Sequence, residues 1–249
     1  MSVAKYLKTM KIIQKHILDF LENEEIDINY FFNLKDIFEK YKISNNKHIF
    51  KSLLHLIAKI SNNHHRGLYF ISKIEQILLF FKVSIKNYFS NSEIFNIFKS
   101  NKRILLFLFD EKIIIIDEYI IKRFITKKYI QKKYVEYFHP EIKSLIKEEW
   151  LSKHLCQYPK LYNNIAKELP DNFYAKRKTG ESDNLVLEMI RNDSIEQFIT
   201  YIEKNSYSVT SEIKPSIYET NNFLLKYDSY KLIEYAAFFG SNQIFNYLR

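Results

Sequence analysis

Glycine and proline are scarce in this chain of 249 residues, three and four respectively, and cysteine occurs once. Hairpin-rich all-β folds need many more turn-forming residues than that. The single Cys156 excludes an internal disulfide and makes a reducing compartment the expectation. Three isolated glycines cannot build a Walker or dinucleotide phosphate loop, so nucleotide chemistry of those kinds is excluded. Arginine is also thin, six among 38 basic residues, although readers of bases and phosphates lean on its bidentate fork. Apolar runs are short: Ile104–Phe109 and Ile77–Phe81 are the longest uncharged ones, far below the roughly 18–20 residues that span a bilayer. Lys5, Lys8 and Lys11 interrupt the N-terminal apolar residues, where a signal peptide would be continuous. A cytoplasmic protein without membrane insertion is expected.

What is present is apolar and aromatic. Nearly half the residues (47%) are hydrophobic and 16% are aromatic, enough for a sizeable core and too many for a disordered chain. Helices joined by polar turns are the simplest architecture. The length leaves room for one large domain or two modest ones. A formal charge of +9 raises nucleic acid or an anionic surface as a partner. The excess is mostly lysine and arrives with Ile, Asn, Tyr and Phe, a mix that reads more as compositional bias than as a selected basic surface.

Along the chain, Tyr6, Met10, Ile13, Ile17 and Phe20 recur at helical spacing between Ala4 and Leu21. A second helix is expected after Asn33, with Leu34, Ile37, Phe38 and Tyr41 inward. A third follows Asn45 and Asn46, with Ile49, Leu53, Leu56, Ile57 and Ile60. Residues 61–67 form a polar break, after which Phe70, Ile74, Ile77, Leu78 and Phe81 restore the period. Residues 92–125 read as several short helices, with Ser92 a candidate N-cap and Ser100-Asn101 a tight connection. Ile113–Ile116 is a connection or a short strand, since periodicity cannot arbitrate four residues. Beyond Pro140 one more helix carries Ile142, Leu145 and Ile146. Pro159, Pro170, Gly180 and the cluster Lys176-Arg177-Lys178 make 154–182 the expected linker.

After Gly180 the pattern sharpens into two short helix pairs. Leu185, Met189 and Ile190 precede a turn at Arg191-Asn192-Asp193 and a second helix with Ile195, Phe198, Ile199 and Ile202. A non-periodic stretch, 205–230, leads to a final pair, Ile233–Phe239 and Asn242–Leu248, hinged at Gly240-Ser241. Setting Asp193 over Gly240 superimposes Phe198 on Phe245 and Tyr201 on Leu248, and Asn101 can be set there too as a third, weaker unit. Recurrence of one helix-turn-helix unit marks a solenoid, in which each pair buries its apolar face against its neighbours.

The run from Ile233 to Phe245, with Ala236-Ala237 and Gly240, resembles the ankyrin repeat's Leu-His-x-Ala-Ala-x-x-Gly-His-x-Glu-Ile-Val. Met189–Phe198 resembles the opening unit of many ankyrin arrays. Paired alanines let first helices approach closely, and glycine at the turn tolerates positive φ. The chain departs from the pattern at Lys231 and Leu232, where the family has Thr-Pro, and at Glu234, which replaces its His. Asp193 and Gly240 are 47 positions apart instead of about 33, so an insertion separates the pairs. Ile60–Arg66, Glu93–Ile116 and Ile213–Asn221 are similar to strings in protist ankyrin proteins that carry an uncharacterised helical domain ahead of a longer array. The resemblance implies a protein-binding scaffold whose first helices begin at the contact surface, which makes Tyr230, Lys231 and Glu234 the candidate partner contacts. The last pair, crowded by Phe238, Phe239, Phe245 and Tyr247, lacks the polar cap a terminal unit needs. The array is therefore expected to be incomplete, or else this end to be covered by a partner or by the N-terminal helices.

Catalytic constellations are not expected. His64 and His65, with His48 and His55 nearby, have no Cys or clustered carboxylate to complete a metal site. His154 and Cys156 would point about 200° apart on a helix, so a thiol dyad needs extended backbone. The strongest basic feature is Lys122-Arg123, Lys127-Lys128 and Lys132-Lys133, interleaved with Phe124, Tyr129 and Tyr134. On a helix that five-residue spacing advances about 140° each time and leaves no single cationic face.

Together these readings give an all-α chain of helical hairpins stacked as an irregular solenoid, ankyrin-like at the C-terminus. The expected domains are an uncharacterised helical domain over 1–153, a linker over 154–182 and ankyrin-like pairs over 183–249. The expected role is a non-catalytic protein-protein interaction module or scaffold with a protein partner, no cofactor, no metal and no small-molecule substrate. Binding of nucleic acid or an anionic surface through 122–133 is the alternative.

Overall fold

The structure, a computed structural model, describes residues 3–23, 28–62, 69–125, 130–145, 168–225 and 227–249. Among them the chain is predominantly helical, with one two-stranded ribbon of two residues a side. No described helix is long and apolar enough to cross a membrane. The chain divides into two compact units, Met1–Ile115 and Ile116–Arg249. That division falls well before the 154–182 segment expected as a linker. Part of that segment, 154–167, lies outside the described residues, and the remainder is tied into the second unit.

In the first unit α1 (Val3–Glu22) packs against α2 (Ile28–Lys40), α3 (Lys47–Ser61) and α4 (Phe70–Phe80). After α5 (Lys82–Tyr88), α6 (Asn91–Phe98) lies on α3 and α7 (Lys102–Asp110) on α4 and α6. Most of the expected stripe residues are buried, Ile13, Ile17 and Phe20 in α1, and Phe70, Ile74, Ile77 and Leu78 in α4, followed by Phe81, while Tyr6 and Met10 of the α1 stripe are only half-buried. Helix α2 starts earlier than expected because Phe31, one turn before Leu34, is drawn inward onto Phe20, with ring centroids 5.5 Å apart.

The caps come from asparagine and serine. Asn46 accepts from His48 N and Ile49 N at the start of α3. At α6 the cap is Ser90, two residues ahead of the expected Ser92, in a reciprocal box with Glu93. Hydrogen bonds from Ser90 hold the Glu93 carboxyl below its ordinary pKa. Asn101 caps α7 through Arg103 N and Ile104 N, and its amide donates to Ser61 O at 2.7 Å, tying α7 to the end of α3. Ile113–Ile116 is a connection. Ile113 N and Ile114 N both donate to Leu108 O, and the Asn91 side chain pairs with the backbone of Ile115.

In the second unit α8 (Glu118–Ile125), α9 (Ile130–Tyr137) and α10 (His139–Ser144) pack in succession. Within the segment expected as linker stands α11 (Phe173–Thr179). Its Phe173 and Arg177 are buried. Arg177 donates to Tyr137 O and Glu141 Oε2, while the Tyr137 hydroxyl donates to Arg177 O. The guanidinium lies 5.5–5.8 Å from the ring centres of Tyr137, Phe173 and Tyr174. The polar cluster that suggested a linker thus contains the residue that fastens α11 down.

Two helix pairs complete the unit: α12 (Leu185–Arg191) with α13 (Ile195–Lys204), and α15 (Leu232–Phe239) with α16 (Asn242–Leu248). Between them lie β1 (Glu212–Ile213), α14 (Asn222–Leu225) and β2 (Tyr230–Lys231), with β1 and β2 antiparallel and Ile213 opposite Tyr230.

Candidate functional site

The two helix pairs share one turn. Asp193 and Gly240 both have left-handed backbone, at φ 50° and 61°. Asp193 N donates to Ile190 O and Ser194 N to Met189 O, while Gly240 N donates to Ala237 O and Ser241 N to Ala236 O. Each is a Schellman closure, in which positive φ at one residue lets two amides satisfy the helix's last carbonyls. Glycine adopts that backbone without strain and aspartate tolerates it. Asn101, the third position set in that register, is extended at φ −127° and caps the following helix, so it does not share the turn.

The pairs lie side by side: α12 packs on α15 and α13 on α16. Their common core includes Leu187, Ile190, Phe198, Leu232, Tyr235, Ala236 and Ile244. Ala236, with no exposed surface, lies at the packed first-helix face. Polar bonds cross the same seam. The Asp193 carboxylate accepts from Gln243 N and Ile244 N, capping α16 from the neighbouring pair. Ser241, fully buried, donates its hydroxyl to Ile190 O. Arg191 donates to the Tyr235 hydroxyl and to Ser182 O, both at 2.9 Å, and pairs with Glu181 at 3.0 Å. Burial opposes the charge on Arg191, but Tyr235, Glu181 and Glu219 more than offset it, so its pKa stays raised. Burial pushes the Tyr230 and Tyr235 phenols well above their ordinary value.

Along the start of α15 runs a groove of about 500 Å³ lined by Leu224, Tyr227, Ser229, Tyr230, Glu234, Ala237 and Phe238. Two of the three expected contacts meet there. Tyr230 is only 5% exposed and stacked on Tyr235 at 5.3 Å, so it offers the groove little surface. Glu234 is exposed, and its Oε2 accepts from Lys231 N at 2.8 Å, closing the first turn of α15. Lys231 is exposed but does not line the groove. Sequence reasoning passed over Tyr227 and Ser229, read Phe238 only as crowding, and set Ala237 with Ala236 at the close approach of first helices, whereas Ala237 is exposed. For Ala237 and Phe238 the signal was their place at i+3 and i+4 from Glu234 on one helical face, whereas Tyr227 and Ser229 precede the helix and share no such period.

Of the basic segment 122–133, Lys122 is paired with Glu118 at 2.6 Å and Arg123 lies over the Tyr119 ring at 5.2 Å. Lys127 and Lys128, and the side chains of Lys132 and Lys133, lie outside what the structure describes. His64, His65, His154 and Cys156 also fall outside the described residues, while His48 and His55 are exposed on α3. Among the described residues no group of His, Cys, Asp and Glu is arranged to hold a metal ion. Compared with known proteins, the chain matches no family model, no curated relative and no solved structure.

Proposed function

We propose that this chain is a non-catalytic protein-interaction module of ankyrin-repeat type, a cytoplasmic scaffold that holds a partner protein through the groove at the start of α15. The observation that carries this reading is the groove itself, lined by Tyr227, Glu234, Ala237 and Phe238 on a helix pair that is stacked against an equivalent one. Two hairpins closed by the same turn give a rigid support, and rigid support lowers the ordering cost of binding. The first helices of the two pairs pack on each other around a core that includes Leu187, Ile190, Tyr235 and Ala236, a stacking of the kind the resemblance to ankyrin repeats implies. Stacked units of this kind present side chains from successive first helices to one partner.

The reading is tested with the full chain as bait against a lysate of its native cells at physiological salt. Wild type should retain a discrete protein that Phe238→Ala loses, with circular dichroism unchanged between the two. No retained protein, or equal retention by Phe238→Ala, would overturn it.

A further inference from the structure

Within this chain of charge +9, Glu234 is the one charged side chain among the described residues that line the groove on α15, and it is an acid. Glu234 stands among Tyr227, Tyr230 and Phe238, with Ala237 and Leu224 completing an apolar wall. Asp228 is exposed one residue after Tyr227, and the buried Glu219 acts electrostatically on Tyr230. Amid these apolar and aromatic side chains the Glu234 carboxylate is a point charge. That pairing attracts a compact cation carried on an apolar stem. We propose that the groove receives a lysine side chain of the partner protein, its methylenes against Phe238, Ala237 and Tyr227 and its ammonium against the Glu234 carboxylate. This rests on the reading of the chain as a protein-interaction module and names the chemistry of its partner.

The capping geometry makes the assignment separable from folding. Glu234 uses one oxygen to accept from Lys231 N. Glutamine at that position keeps an oxygen for the same bond, since both residues close capping boxes. Glu234→Gln therefore removes the charge and leaves the helix start intact. The second oxygen of the carboxylate remains for an ammonium, which has three hydrogens to donate.

The test uses n-butylammonium, which reproduces the lysine stem and head, and 1-butanol as its neutral counterpart, each titrated into the full chain. The Ala237 methyl resonance is followed by NMR. Butylammonium should shift that resonance saturably and butanol should not, with the Glu234→Gln affinity about fivefold lower, the order expected of a partly exposed ion pair. Equal shifts from butanol, an unchanged affinity in Glu234→Gln, or no saturable shift would overturn the assignment. A chain that ignores butylammonium but captures a partner through Phe238 sinks this inference alone. One that binds butylammonium and captures nothing sinks the wider reading.

Discussion

Asp183 shows how single residues hold the C-terminal unit together. Its carboxylate accepts from Lys176 at 2.8 Å and Ser216 at 3.0 Å, joining α11, the start of α12 and the segment after Pro215. Burial alone would raise its pKa, but these hydrogen bonds hold it below the ordinary value. The same contact raises the pKa of Lys176. A lowered carboxylate contributes stability that is present above its unfolded value and lost as pH falls through the folded one. A raised ammonium contributes below its unfolded value and loses its share as pH rises through the folded one. The pair is therefore intact between those limits, across neutral pH. Asp183→Asn should melt below wild type at pH 7, and the gap should shrink as pH falls below about 4. A gap independent of pH in parallel thermal melts would contradict this account.

At the scale of elements, the seam between α12–α13 and α15–α16 is set by the turn residues as much as by the core. Asp193 closes one helix by its backbone and caps another by its side chain. Asp193→Ala should cost about 1–2 kcal/mol in urea unfolding, whereas Asp193→Asn, which keeps a side-chain oxygen and tolerates positive φ, should cost less. Ser241→Ala removes another seam bond and should couple to Asp193→Ala in a double-mutant cycle, because both act on the start of α16. Strict additivity of the two losses would place them in independent sites.

The helix pairs themselves were legible before the structure. Gly240 and Asp193 mark turns, and the apolar period around them gives α13, α15 and α16 to within a residue or so. The buried face of α12 was less legible: Val186 and Leu187 point inward while Leu185 is half exposed. A seven-residue helix offers too few turns to fix its phase, and the partner helix decides. The proline-marked stretch hid α11 because Arg177 reads as a solvated charge until its aromatic neighbours are known. Among the three residues named as candidate contacts, the exposure of Glu234 at the helix start was readable from the sequence. The burial of Tyr230 was not, because it depends on stacking with Tyr235 and on pairing of β2 with β1.

For the whole molecule, each unit carries its own core, and the second presents the groove on α15. A photo-crosslinking residue can be placed at Ala237, which lines the groove, or at Asn246, which is exposed on α16 and does not. Each full-length variant is then irradiated in native-cell lysate at physiological salt. The account predicts one discrete crosslinked protein from position 237, competed by n-butylammonium, and none from position 246. Equal crosslinking at both positions, or at 246 alone, would contradict the claim that partner recognition lies along α15.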